Sequence, residues 1–160
     1  MNAIAVEESP RTAQLPMAFT FAEFVRGAVA AWLAYLLLAT VVYLGVLQGY
    51  VVVAAMFFVP ISAVALVVGS FPAYLLGWSL RRVRPLLPHL VAFGLFGAAV
   101  GYAATALFLA VHGDGVGGAL YYVVNVPVSA VAVAFGWHRA ARRALRPERP
   151  RAEPEAAAER

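Results

Sequence analysis

Three long runs of this chain contain no Asp, Glu, Lys or Arg: Gly27 to Leu80, Pro85 to Gly113, and Gly115 to His138. A folded soluble domain places a charge every few residues on its outer face, so runs of this length constrain the fold more than any other feature. A helix crosses a bilayer with ~20 apolar residues. The runs divide into four such spans: about 21–47, 50–69 with an uncharged extension to 80, 90–111 and 119–137. In lipid every backbone N–H and C=O must be satisfied within the structure, so the spans are expected to be helices. The alternating ten-residue strands of a membrane barrel are not visible. The expected fold is therefore all-α, an integral membrane four-helix bundle.

Composition agrees. Hydrophobic residues make up 63% of the chain and charged residues 12%, against ~25% charged in soluble domains. With no cysteine, disulfides and thiolate metal sites are excluded. All 12 basic residues are arginine. They flank apolar spans and form no polar face, so nucleic acid is not an expected partner. The arginine-only, Ala/Val-rich composition is that of a GC-rich bacterial genome, which makes a bacterial inner membrane the expected location.

The first helix has a legible start. Thr20 and Glu23 stand as N-cap and N3 of a capping box, and Phe19 and Phe24 occupy the two staple positions. The simple reading of Glu23 is a cap at the membrane surface; a buried proton-coupling carboxylate is disfavoured by its boundary position. Residues 1–19 lack an apolar signal core and read as a disordered cytoplasmic lead-in.

Orientation follows from the arginines. Arg11, Arg26, Arg81, Arg82, Arg84 and the seven arginines from Arg139 onward share one side if both termini are cytoplasmic. Asp114 is then the sole Asp, Glu, Lys or Arg outside. The positive-inside rule thus predicts a multi-pass plasma-membrane protein with cytoplasmic N- and C-termini. Arg139, Arg142, Arg143 and Arg146 fall on one helical face continuing from the fourth span. Together with Arg81, Arg82 and Arg84 they are candidates for contact with anionic lipid or a cytoplasmic protein partner. The rest of 139–160 alternates Pro, Arg, Glu and Ala and reads as a disordered tail.

The sequence also repeats. Val59–Gly69 reappears as Val126–Gly136 with seven of eleven positions identical, at an offset of 67. The same offset pairs Gly27 with Gly94, Ala31 with Ala98, Tyr35 with Tyr102 and Ala39 with Ala106. This predicts two tandem helical hairpins of the same orientation, a parallel 2+2 repeat. The 70–80 extension breaks the pattern. Either span two is one long, tilted helix, or it ends near Gly69 and a short interfacial helix follows; Ser70 and Pro72 suit the start of the latter, so a kink or break near Pro72 is expected.

Functional groups concentrate in mid-span: Tyr35, Ser62, Tyr102, Asn125 and Ser129, beside the expected helix kinks at Pro60 and Pro127. Each proline frees the carbonyl four residues earlier, here those of Met56 and Val123. The simple reading is that the hydroxyls satisfy these carbonyls and tie helices together. The sharper reading is a midplane binding site or narrow path. Asn125 is the first candidate for a specific ligand contact, because its repeat counterpart is Phe58. Gly97 and Gly101, with Gly27 and Ala31, offer small-residue faces for helix packing.

Catalysis is not expected. The histidines lie at span ends and no intramembrane carboxylate is present. His112 and Asp114 without a third ligand read as a turn and not as a metal site. No cofactor is implied. The function expected is a small non-enzymatic accessory or helix-packing subunit of a membrane complex, with possible self-association. The alternative is a small homo-oligomeric channel or permease with a midplane polar site.

Overall fold

The computed structural model describes residues 12, 15, 17–47, 51–113 and 118–144. Among them are four helices: α1 (Phe21–Leu47), α2 (Val51–Leu80), α3 (Leu86–His112) and α4 (Gly118–Ala144). Each is long and apolar enough to cross a membrane. At 1.5 Å per residue they run ~40–45 Å, longer than the ~30 Å hydrocarbon layer, so their ends reach the headgroups.

The N-terminus of α1 is built as its sequence implies. The Thr20 N–H donates to Glu23 Oε2 at 3.0 Å, and the Glu23 N–H donates to Thr20 Oγ1 at 3.2 Å. Phe19 and Phe24 stack with centroids 6.1 Å apart. Residues 17–19, assigned by sequence to the lead-in, are packed. Met17 is buried and its N–H donates to Arg81 O at 3.2 Å. That bond ties the start of the chain to the α2–α3 turn, so Arg26 and the Arg81–Arg84 turn share one end of the bundle. Gly113 closes α3 at φ 84°, its N–H bonded to Leu109 O at 2.7 Å.

Around the ring the order is α1, α2, α3, α4, with α4 adjoining α1 and α3 most closely. Small residues cause that closeness. A methyl placed on Gly136 of α4 would lie 2.5 Å from Ala31 Cβ and 2.7 Å from Gly27 O of α1. On the other flank, a methyl on Gly97 would lie 2.5 Å from Ser129 O, and one on Gly101 2.7 Å from Ser129 Oγ. With no Cβ in the way, the backbones meet and dispersion contacts multiply, which is what holds helices together in lipid. On α3 the buried residues are His89, Phe93, Gly97, Gly101, Thr105 and Leu109, a strict every-fourth stripe along one face.

α2 is held differently. Of its 30 residues only Phe58 and Gly77 are buried. A methyl on Gly69 would find only ordinary contacts, at 3.8 Å to Phe96 and 3.9 Å to Val100. A cavity separates α2 from the α1–α4–α3 layer.

Of the two forms expected for residues 70–80, the long helix is the one observed: α2 runs unbroken from Val51 to Leu80, with Pro60 and Pro72 inside it. Ser70 does not cap a new helix. Its hydroxyl donates to Leu66 O at 2.6 Å, within the same helix. α4 likewise passes through Pro127 unbroken. The repeat partners, moreover, do not share surroundings. Tyr35 faces the interior, whereas Tyr102 is 59% exposed.

Candidate functional site: a polar cluster in a central cavity

The cavity is about 220 Å³ and is lined from all four helices. From the middle toward the Leu47 and Gly118 ends, its wall carries a hydrogen-bonded cluster centred on Asn125 of α4. Tyr43 Oη donates to Asn125 Oδ1 at 3.0 Å, and Tyr35 Oη to the same oxygen at 3.3 Å. Asn125 Nδ2 donates to Thr105 Oγ1 at 3.1 Å. One amide thus joins α1, α4 and α3.

The backbone explains why this is possible. Tyr35, Ala39 and Tyr43 recur every fourth residue on one face of α1. Ala39, with no exposed surface, leaves room between the two phenol rings for the amide to enter. Tyr43 is in turn fixed by stacking on Phe58 at 5.6 Å. A second, separate link crosses from α1 to α2: Trp32 Nε1 donates to Ser62 Oγ at 3.0 Å, and Ser62 Oγ donates to Val59 O at 2.8 Å. The serine therefore turns to Val59 O and not to the Met56 carbonyl that Pro60 frees.

Of the mid-span candidates, Tyr35 and Asn125 meet directly, Ser62 faces the same cavity through Trp32, and Ser129 is buried beneath Gly101 while also lining the cavity. Tyr102 is excluded. It points outward and packs on Tyr122 at 5.1 Å. Tyr43 and Thr105 complete the Asn125 cluster and Trp32 makes the separate link to Ser62; none of the three is among the site residues expected from sequence. The Tyr35-Ala39-Tyr43 spacing was the signal available for Tyr43.

The chemistry of the wall is narrow. A tyrosine hydroxyl donates one bond and keeps acceptor capacity, and a primary amide has two N–H groups. The cluster uses one Asn125 N–H and each phenol's donor, so acceptor oxygens and a second amide N–H remain near the cavity. Among the described lining residues Glu23 alone is charged. It sits at one end, with its carboxylate engaged by the Thr20 N–H. The rest is aliphatic and aromatic. No group of three or more His, Cys, Asp or Glu side chains that could hold a metal occurs among the described residues.

Aromatic side chains line both ends. Toward the arginine end, Phe19 makes edge contacts with Tyr74 (5.5 Å) and Trp137 (5.6 Å), and Trp137 stacks on Phe93 at 4.3 Å. His89, fully buried, lies parallel to Trp137 at 5.6 Å and holds Pro85 O through Nδ1 at 3.0 Å. Its Nε2 and the Trp137 Nε1 are buried without a hydrogen-bond partner. At the opposite end Tyr43, Phe58 and Tyr121 converge. His112 stacks on Phe108 and bonds Phe108 O at 3.0 Å, a local arrangement at the end of α3.

The basic candidates lie outside the cavity. The Arg81 guanidinium sits 4.1 Å over the Trp78 ring, an interfacial cation–π contact. Arg82, Arg84, Arg139 and Arg142 are exposed. Arg143 belongs to the last turn of α4, and Arg146 lies outside the described residues.

Comparison with protein-family models, with curated proteins and with solved structures finds no match.

Proposed function

We propose that this chain is a small non-enzymatic membrane protein that binds an uncharged, mostly apolar molecule in its central cavity, as a permease or carrier. One observation carries the reading: a single copy forms a partly open cavity of about 220 Å³ with a three-helix hydrogen-bond cluster on its wall. An engineered apolar cavity of ~150 Å³ already admits benzene, and drug-sized ligands occupy ~300–1,000 Å³. The ligand class is thus one ring or a short branched chain bearing one hydrogen-bonding group. An ion would lose its hydration against a wall that is apolar apart from its hydrogen-bond cluster and whose one charge among the described residues, Glu23, sits at one end of the cavity.

The single-copy cavity changes the terms of the channel alternative, because one copy already brings all four helices to the site. It also bears on the accessory-subunit reading. Gly27, Ala31, Gly97 and Gly101 are consumed in contacts of α1 and α3 with α4, so they offer no free face to a partner helix. Exposed arginines support a cytoplasmic surface in contact with anionic lipid, with both termini inside a bacterial plasma membrane. The tandem-hairpin origin rests on the Val59–Gly69 and Val126–Gly136 match.

The test uses 4-bromophenol, a ring with one hydroxyl and a heavy-atom quencher of tryptophan. In lipid nanodiscs of the Trp78→Phe variant, quenching of Trp32 and Trp137 should saturate. Asn125→Leu should weaken the apparent affinity ~10-fold, the equivalent of ~1.4 kcal/mol. Tyr35→Phe should do so less. Quenching that rises linearly, unaltered by Asn125→Leu, would overturn the reading. A stoichiometric foreign subunit in native mass spectrometry of the extracted particle would instead support the accessory role.

A further inference from the structure

We infer that the cavity is filled from the lipid, sideways through the seam between α1 and α2, so that its ligand is a membrane-dissolved molecule and not a water-borne solute. The inference rests on the cavity being a binding site and adds where the ligand comes from.

A second depression, about 190 Å³, lies between α1 and α2. Four residues line both it and the central cavity: Phe24, Ala28, Leu66 and Ser70. One layer of side chains therefore separates the outer groove from the interior, and two of the four are small. Phe21 (71% exposed) and Val67 (73% exposed) flank the groove on the outer surface, where acyl chains would touch them.

The ends contrast with the seam. Toward the arginine end, a methyl on Gly77 would lie 2.9 Å from the Phe19 ring, and Phe19 is held there by Tyr74 and Trp137. At the other end Tyr43 and Phe58 are 2% and 8% exposed. Opening either end means parting packed aromatic rings. At the seam, Ser70 spends its hydroxyl on its own helix, and the Trp32–Ser62 bond lies about two turns away along α2. No glycine of α2 is pressed against α1. Apolar side chains facing lipid exchange contacts with acyl chains at little cost, since lipid is as apolar as they are. The outer groove that shares its lining with the cavity marks this seam as the wall to part.

The chain has no cysteine, so Ala28→Cys/Ser70→Cys can be bridged selectively with a short reducible bis-methanethiosulfonate. The readout is the rate of tryptophan quenching after mixing nanodiscs of the Trp78→Phe background with 4-bromophenol. Bridging should slow the saturable phase by at least ~10-fold, as closing an access route does. Reductant should restore the rate. Ala28→Phe, which fills the seam without a cross-link, should slow it as well, while Val131→Phe on the outer face of α4 should not. An unchanged rate after complete bridging, with saturable binding intact, would overturn the lateral route and leave the cavity reading standing. Absence of saturable quenching in the unbridged protein would overturn both.

Discussion

Helices α2 and α4 carry the same Val-Pro-x-Ser-Ala-Val-Ala motif, yet they do different work in the bundle. In α4 the motif sits between two neighbours. Ser129 lies under Gly101, and Gly136 lies on Gly27 and Ala31. In α2 the corresponding Ser62 faces a cavity and Gly69 touches only side-chain tips. What differs is the partner surface. α4 meets glycines and alanines on both sides, whereas α2 meets the tips of the aromatic side chains Trp32, Phe96 and Phe108 beside the cavity. Close packing depends on both faces of a contact, so one motif yields a structural centre in one helix and a movable wall in the other.

Substitutions that exploit this contrast should differ in size. The largest effect is expected at the α1–α4 crossing. Gly136→Val places carbon where Ala31 and the Gly27 carbonyl already stand, and overpacking of this kind costs ~1–3 kcal/mol or more. The matched change in α2, Gly69→Val, should stay within ~0.5 kcal/mol. Thermal or detergent denaturation of the two variants measures the difference directly. Equal losses would mean that α2 is packed as tightly as α4.

Next comes the polar cluster. Asn125→Leu removes three hydrogen bonds, each worth ~0.6 kcal/mol on average in a membrane, and leaves two phenols without their acceptor. The same denaturation assay should show a loss of ~1–2 kcal/mol. Ser62→Ala removes the Trp32 link and the hydroxyl's own bond to Val59 O, for a loss of ~0.6–1 kcal/mol. Its clearer sign should be faster 4-bromophenol uptake, as α2 is freed from α1. Tyr102→Phe, on the outer surface, should change neither stability nor binding.

Much of the fold was legible because charge marks the ends of membrane helices. Arg26, Arg81 to Arg84 and Arg139 bound the apolar runs, and Thr20 with Glu23 marks the start of α1 by a mechanism that needs no tertiary contact. The small-residue faces at Gly27, Ala31, Gly97 and Gly101 were legible because only small side chains permit backbone approach. Which way a given side chain faces was harder to read. In a soluble helix, polarity distinguishes outside from inside; in lipid both sides are apolar, so α3 carries almost no periodic signal for its orientation. The repeat offset of 67 then placed Tyr102 beside Tyr35 in role, while the every-fourth stripe through Gly97, Gly101 and Thr105 turns it outward. Pro72 left two forms of the second span open for a related reason. Helix-breaking residues are tolerated in membrane helices when nearby groups re-satisfy the backbone, so a proline there does not mark an end. Asn125 stood out because a primary amide in mid-span has to find partners. Trp32 and Thr105 did not, because their partners lie on other helices.

The most direct measurement is a crystal structure with 4-bromophenol, located by the anomalous signal of its bromine. The expected result is a bromine peak inside the bundle, between Asn125 and α2, with the phenol oxygen within hydrogen-bond distance of the Asn125–Tyr35–Tyr43 cluster. Bromine peaks confined to the lipid-facing surface, with α2 packed against α4 and no space between them, would contradict it.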